Sequence, residues 1–168
     1  ANKDKLTFAS SGMGSATHLC AMLFQEALGQ PLTMVQYKGA APATLDIRSG
    51  QVDVICDLPT TTSGAIRSGE LKAFVLTARK RMASLPDVPT SVEVGMPSLE
   101  MSTWFGLYAP VGTPKPIIDT LSKALRDIVA DKGVAQQLEK IETELFPADQ
   151  ARPEALRAKL SSQIDLWW

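Results

Sequence analysis

What most constrains this chain is a recurring change of period. Short apolar runs are followed by stretches in which apolar residues return every three or four positions, and glycines punctuate the changes. Lys5 to Ala9, with LTFA at its centre, predicts a buried strand, and Ala16 to Leu28 predicts a helix. That helix carries Leu19, Cys20, Leu23, Phe24 and Ala27 on one face and stops at Gly29. Met34 to Tyr37 predicts a second strand, and Pro42 to Ser49 a short helix with Leu45 and Ile47 turned inward. Val52 to Cys56 predicts a third strand, Thr60 to Ser68 another short helix, and Leu71 to Thr77 a fourth strand. Ile47-Arg48-Ser49-Gly50 is echoed by Ile66-Arg67-Ser68-Gly69, and each copy places glycine where a helix must turn left-handed to end. Strands that alternate with helices in this way assemble into a parallel sheet with right-handed crossovers. The expected fold class is therefore α/β, a mostly parallel sheet flanked by helices.

Beyond Thr77 the pattern changes. Arg79 to Pro97 holds three prolines and little periodicity before a short turn at Ser91 to Val94, which suggests a surface crossing. MSTWFGLYAP, residues 101 to 110, predicts an aromatic-rich strand. A long helix follows, with Thr113 as N-cap and Pro114 in the first position, and Ile117, Ile118, Leu121, Leu125, Ile128 and Val129 form its apolar face. Val134 to Ile141 predicts a further helix, Thr143 to Phe146 an edge strand, and Pro153 to Trp168 a last amphipathic helix. Leu166-Trp167-Trp168 puts two tryptophans on an unfinished helix, which reads as a truncation because so much apolar area is normally covered.

A chain of 168 residues supports one well-buried domain, or a domain with an appendage. The formal charge of -1, with scattered lysines and arginines, provides no basic face, so neither nucleic acid nor a membrane surface is an expected partner. No apolar run approaches the roughly 20 residues of a spanning helix. ANKDKL at the start lacks the apolar core of a signal peptide, which leaves room for a signal removed upstream. Cys20 and Cys56 have no CxxC spacing and no histidine at metal distance, and two buried reduced thiols are expected. Neither a metal nor a cofactor is expected.

Loops that leave the C-terminal ends of parallel strands face one crevice, where helix N-termini offer free amides and partial positive charge. Three such loops are Ser10 to Ser15, Lys38 to Ala41 and Asp57 to Thr62. SSGMGS brings the hydroxyls of Ser10, Ser11 and Ser15, with Gly12 and Gly14 to let the backbone approach a ligand. A dinucleotide does not suit it: Thr17 stands where GxGxxG needs its third glycine, and YKGA ends the second strand without an acidic residue. There is no GK[ST] for a phosphate loop and no GxSxG elbow for a nucleophile. An anion held by neutral donors and a glycine turn that merely joins strand to helix both remain open. His18, the single histidine, reads as a packing or capping residue rather than a base or a metal ligand. Lys38 fits either a ligand cation or a solvated lysine, and Asp57 either a ligand acceptor or a cap. Trp104 and Phe105 can wall a cleft or fill a core, and core is expected for Phe105.

Taken together, KLTFASSGMGSATHL, VQYKGAAPATLDIRSGQVDVICDLPTT, SGELKAFVLTARKRMASLPDVPTSVEVGMP and STWFGLYAPVGTPKPIIDTLSKAL resemble the substrate-binding proteins of tripartite tricarboxylate transporters, the Bug family. The resemblance covers nearly the whole chain. It implies a periplasmic, two-lobed receptor of the class II kind that captures a small carboxylate for membrane transporter subunits, and no enzyme. It further implies that residues 1 to 100 are the second lobe and 101 to 168 a return segment that packs on a first lobe, here unmatched. Exposed tail faces would then promote self-association. The ligand positions it implies are Ser10, Ser11, Gly12, Ser15, Gly39, Ala40, Ala41, Asp57 and Trp104. A Rossmann-like enzyme domain, or a structural lobe that binds nothing small, are the competing readings; a retained carboxylate at Ser10 to Ser15 favours the receptor, and a bound nucleotide excludes it.

Overall fold

The computed structural model describes residues 5–167, with side chains to residue 165. The chain divides into two compact units between Thr103 and Trp104. In the first, β1 (Thr7–Ser10), β2 (Thr33–Gln36) and β3 (Val54–Ile55) form a parallel sheet in the order β2-β1-β3. Phe8 pairs with Met34 on one side and Val54 on the other, and Ala9 with Val35 and Ile55. The helices α1 (Ala16–Leu28), α2 (Ala40–Ser49) and α3 (Pro59–Arg67) complete the unit.

The period of two in β1 explains its layers. Phe8 turns to one face, where it packs with Ala21 and Leu32 and lies near Phe24, ring centroids 5.8 Å apart. Ala9 turns to the other, with Ala43 of α2 and Val52. Both are buried, so the central strand is covered on both faces, as parallel sheets require. The chain moves outward from β1 to β2 with α1 on one face, then back across β1 to β3 with α2 on the other. Right-handed crossovers in opposite directions demand that arrangement. It makes the β1/β3 gap the point where strand order reverses, the usual place for a ligand crevice.

Both copies of the echoed tetrapeptide end their helices as expected. Gly50 closes α2 at φ 76°, and Gly69 follows α3 at φ 79°. Other expectations are corrected. Leu45 does not face inward; it is 68% exposed, while Ile47 packs with the Ala9 cluster. Leu71 to Thr77 is no fourth strand. Leu76 instead bridges to Thr90, donating to Pro89 O and accepting from Ser91 N, so its pairing capacity goes to the returning segment rather than to β3. That segment is anchored: Leu85, Val88, Thr90, Ser91 and Leu99 are buried, and the turn expected at Ser91 to Val94 forms. Glu93 holds it, accepting from Thr90 N and from Arg81 Nε.

The cysteines also differ from expectation. Cys20 and Cys56 are joined in a disulfide across 36 residues, with Cα atoms 6.1 Å apart. Cys20 is buried on α1, and Cys56 packs on the Phe8 cluster, so both side chains enter one layer. The span lies inside the ordinary disulfide range.

The second unit is helical among the described residues: α4 (Lys115–Ala130), α5 (Lys132–Lys140) and α6 (Pro153–Trp167), with a 3-10 turn at Ala148–Gln150 against α4. The strand expected at 101–110 does not form, nor does the edge strand at Thr143 to Phe146. Aromatic and branched residues favour strands only where a partner strand offers a half-buried face. Phe105, expected in the core, is 78% exposed, and Leu107, Tyr108 and Val111 are exposed with it. Helix α4 begins one residue later than expected, with Pro114 at the N-cap position, because Thr113 Oγ1 donates to Pro110 O instead of capping. Asp131 caps α5, accepting from Gly133 N and Val134 N. The apolar stripe of α4 lies where expected, and Ile117, Leu121 and Ile128 on it are exposed. The expected end of α6 at Trp168 falls outside the described residues.

Candidate functional site

All three strands run parallel, so the loops after β1, β2 and β3 leave the same edge of the sheet. Ser10, Ser11, Gly12 and Ser15 follow β1, Gly39, Ala40 and Ala41 start α2, and Asp57 follows β3. The first two loops are stitched together: Tyr37 N donates to Ser10 O at 2.8 Å and Gly39 N to Ser11 O at 3.1 Å. Gly12, at φ 131°, brings its backbone so near that an added Cβ would stand 3.5 Å from Tyr37 O. Trp104, the remaining expected residue, is half-buried in the second unit.

Within SSGMGS the hydroxyls serve each other. Ser15 Oγ donates to Gly12 O at 2.6 Å and, as N-cap of α1, accepts from His18 N at 3.2 Å. Having spent its one proton, it must accept in its 2.9 Å contact with Thr17 Oγ1, which makes Thr17 the donor there. Thr17 Oγ1 therefore accepts in its 2.8 Å contact with Ser11 Oγ, and it also accepts from Ser11 N at 2.8 Å. The result is a directed chain from Ser11 through Thr17 and Ser15 to the Gly12 carbonyl. Ser10, fully buried, donates to Gly12 O and accepts from Gly12 N. The Gly14 amide donates to His18 Nδ1 at 3.4 Å, so the histidine sits at the loop as a packing and acceptor group.

The donor supply at the α2 start is different. Gly39, at φ 118°, offers no capping side chain, and the first-turn amides of Ala40 and Ala41 have no intrahelical partner by the geometry of a helix start. Tyr37 beside them donates to Asp46 Oδ2 at 2.7 Å, and that bond, with desolvation, raises its pKa above the usual phenol value. After β3, Asp57 Oδ1 accepts from the adjacent Leu58 N at 2.8 Å, a local bond that caps no helix, and Oδ2 is buried without a hydrogen-bond partner. Helix α3 then starts at Pro59 with no side-chain cap. Among the described residues no group of three or more His, Cys, Asp or Glu could hold a metal ion.

Thr17 stands where a dinucleotide motif needs glycine, and a threonine two residues into a serine-capped helix start is well placed to bond backwards, as it does to Ser11 and Ser15. The bare start of α2 was legible in YKGAAP, where no residue before the helix carries a capping oxygen.

The family model described as the tripartite tricarboxylate transporter family receptor matches residues 1–161. The chain belongs to this receptor family. Among curated relatives of the family, a protein from the TAR-I ttuE-ttuC' intergenic region of Agrobacterium vitis is 38% identical over 98% of this chain and 47% of its own length. BugT of Bordetella pertussis is 31% identical, over 99% of this chain and 50% of its own. The chain thus spans about half the length of these relatives. Among solved receptor structures, periplasmic binding protein BugD matches with TM-score 0.91 and 42% identity over 99% of this chain and 55% of its own. MatC of Rhodopseudomonas palustris, solved with bound malate, matches with TM-score 0.92 and 32% identity over 99% of this chain and 57% of its own. Another R. palustris protein, solved with adipate, gives TM-score 0.88 at 29% identity over 98% of this chain and 54% of its own. BugD is a periplasmic binding protein, and at these TM-scores the α/β fold described above is shared with all three structures.

Proposed function

We propose that this chain forms one wall of an extracytoplasmic receptor that captures a small dicarboxylate and passes it to the membrane subunits of a tripartite transporter. It is a binder, not an enzyme. The observation that carries the reading is the uncapped start of α2, held by hydrogen bonds against the SSGMGS loop at the C-terminal edge of the sheet. A carboxylate fits there because amides with a partial positive charge favour an anion, while the absence of a salt bridge keeps release easy. The amides of Ala40 and Ala41 are the primary donors. Ser10, Gly12 and Ser15 shape the loop, and Ser11, at the head of the hydroxyl chain, turns its proton to the ligand. Malate and adipate, bound by two of the similar structures, support the dicarboxylate class.

Residues 1–100 act as the second lobe, and 101–168 as the return segment that packs on a first lobe. A periplasmic setting agrees with the disulfide, since such bonds persist in oxidising compartments. One lobe provides only part of the donor set and little water exclusion, so three lost hydrogen bonds at about 1 kcal/mol each weaken affinity by more than about a hundredfold. Calorimetry of the 168-residue chain and of the full-length receptor against a panel of small acids tests this. The expected result is tight binding of one dicarboxylate by the full receptor and weak or undetectable binding by this chain. Equal, tight binding by both overturns the half-receptor reading, and a bound nucleotide overturns the receptor reading.

A further inference from the structure

The disulfide lies within a few residues of two of the three loops. Cys56 immediately precedes Asp57, and Cys20 is on the second turn of α1, whose first turn is capped by Ser15. Strand β3, which leads directly into Cys56, is only two residues long, Val54–Ile55, held to β1 by the pairs Phe8 to Val54 and Ala9 to Ile55. Its entry has its own fastening. Asp53 Oδ2 accepts from Thr7 N at 2.8 Å and from Thr7 Oγ1 at 2.7 Å, and Asp53 N donates to Thr7 Oγ1 at 3.1 Å. Its exit is different: the hydrogen bond at Asp57 is local, to the adjacent Leu58 N. A ladder this short frays readily, because each end residue is also a terminal one.

We infer that the Cys20–Cys56 disulfide is a positioning clamp for the ligand site: it fixes the exit of β3, and with it the half-buried Asp57, to the helix that carries the SSGMGS loop. Cys20 and Cys56 touch no ligand in this account. They hold two loops of the crevice at a set separation, so that the site is formed before the ligand arrives. The inference rests on the proposed carboxylate site for its functional consequence, but the clamp itself is a statement about β3 alone.

Thiol alkylation, hydrogen exchange and calorimetry together test it. Denatured without reductant, the chain is expected to resist iodoacetamide at both cysteines. Dithiothreitol then transfers two electrons and two protons to the bond, leaving two thiols and its own cyclic disulfide. In the reduced chain the amides of residues 54–58 are expected to exchange at least about tenfold faster, while residues 7–10 and 33–36 keep their protection. With malate and adipate as probes, the full-length receptor, reduced or carrying Cys20→Ala with Cys56→Ala, is expected to bind whichever of the two it takes about tenfold more weakly, roughly the cost of one misplaced hydrogen bond. Asp53→Asn, which loosens the other end of β3, serves as control and should leave residues 56–58 protected. Alkylation without reductant, unchanged exchange at 54–58, or simultaneous loss of protection through the whole sheet would each overturn the clamp, the last by showing a global staple instead. Selective fraying with unchanged affinity overturns its role at the site. If the oxidised receptor binds no small acid while the fraying appears, the carboxylate reading fails and the clamp stands.

Discussion

Ser11 and Ser15 differ sharply although both hydroxyls belong to one chain of hydrogen bonds. When Ser11 turns its proton away, Thr17 Oγ1 still accepts from the Ser11 amide, so no partner is orphaned. Ser15 is the N-cap of α1 and accepts from His18 N, so its loss exposes the helix start. Ser11→Ala should therefore leave the melting temperature nearly unchanged and weaken acid binding by the full receptor. Ser15→Ala should cost about 1 kcal/mol in stability, read from the denaturant midpoint. Gly12→Ala should cost about 1 to 3 kcal/mol for a different reason: at φ 131° a side chain is strained whatever space surrounds it. Asp53 adds a pH dependence. Its hydrogen bonds from the Thr7 amide and hydroxyl hold its pKa below the ordinary carboxylate value, so the stabilisation is complete above the unfolded value, near 4. It is lost as pH falls through the lower folded value. Acid titration followed by hydrogen exchange at β3 should show this loosening, and Asp53→Asn should abolish its pH dependence.

Among the elements, the helices and the strands β1 to β3 were legible from local pattern, and segments whose state depends on a further free sheet edge were not. Helix α1 runs from Ala16 to Leu28 as its apolar spacing and Gly29 dictate, and α2 and α3 end at their glycines. The loops at one sheet edge followed from parallel topology alone. Leu71 to Thr77 and residues 101–110 have strand composition, but composition does not reveal whether a neighbouring edge is available. The same blindness applied to the disulfide: that Cys20 and Cys56 enter one layer depends on β3 returning beside β1, 36 residues away. The hydroxyl chain through Thr17 was hidden because it depends on which of several nearby oxygens donates.

For the whole chain, the second unit sets the behaviour in solution. Ile117, Leu121 and Ile128 expose one stripe of α4, and Phe105, Leu107, Tyr108 and Val111 add exposed apolar surface on the segment before it. Leaving several such side chains wet costs about 1.5 to 3 kcal/mol each. The 168-residue chain should therefore self-associate at micromolar concentrations, as light scattering would register. Replacing Leu121 and Ile128 by glutamate should return it to a monomer without unfolding the first unit. A monomer in the unmodified chain would contradict the expectation.

The two-residue length of β3 also governs what form such association takes. A sheet recruits other chains along its edges, and a long, flat edge is the template from which fibrils grow. This sheet ends on one side in Val54 and Ile55 alone, and on the other in four residues of which Thr33 and Gln36 are exposed and polar. Neither margin is long enough to seed a cross-β stack. Crowding this chain should yield reversible oligomers that dissolve on dilution and leave thioflavin dark, association through helices rather than the growth of amyloid.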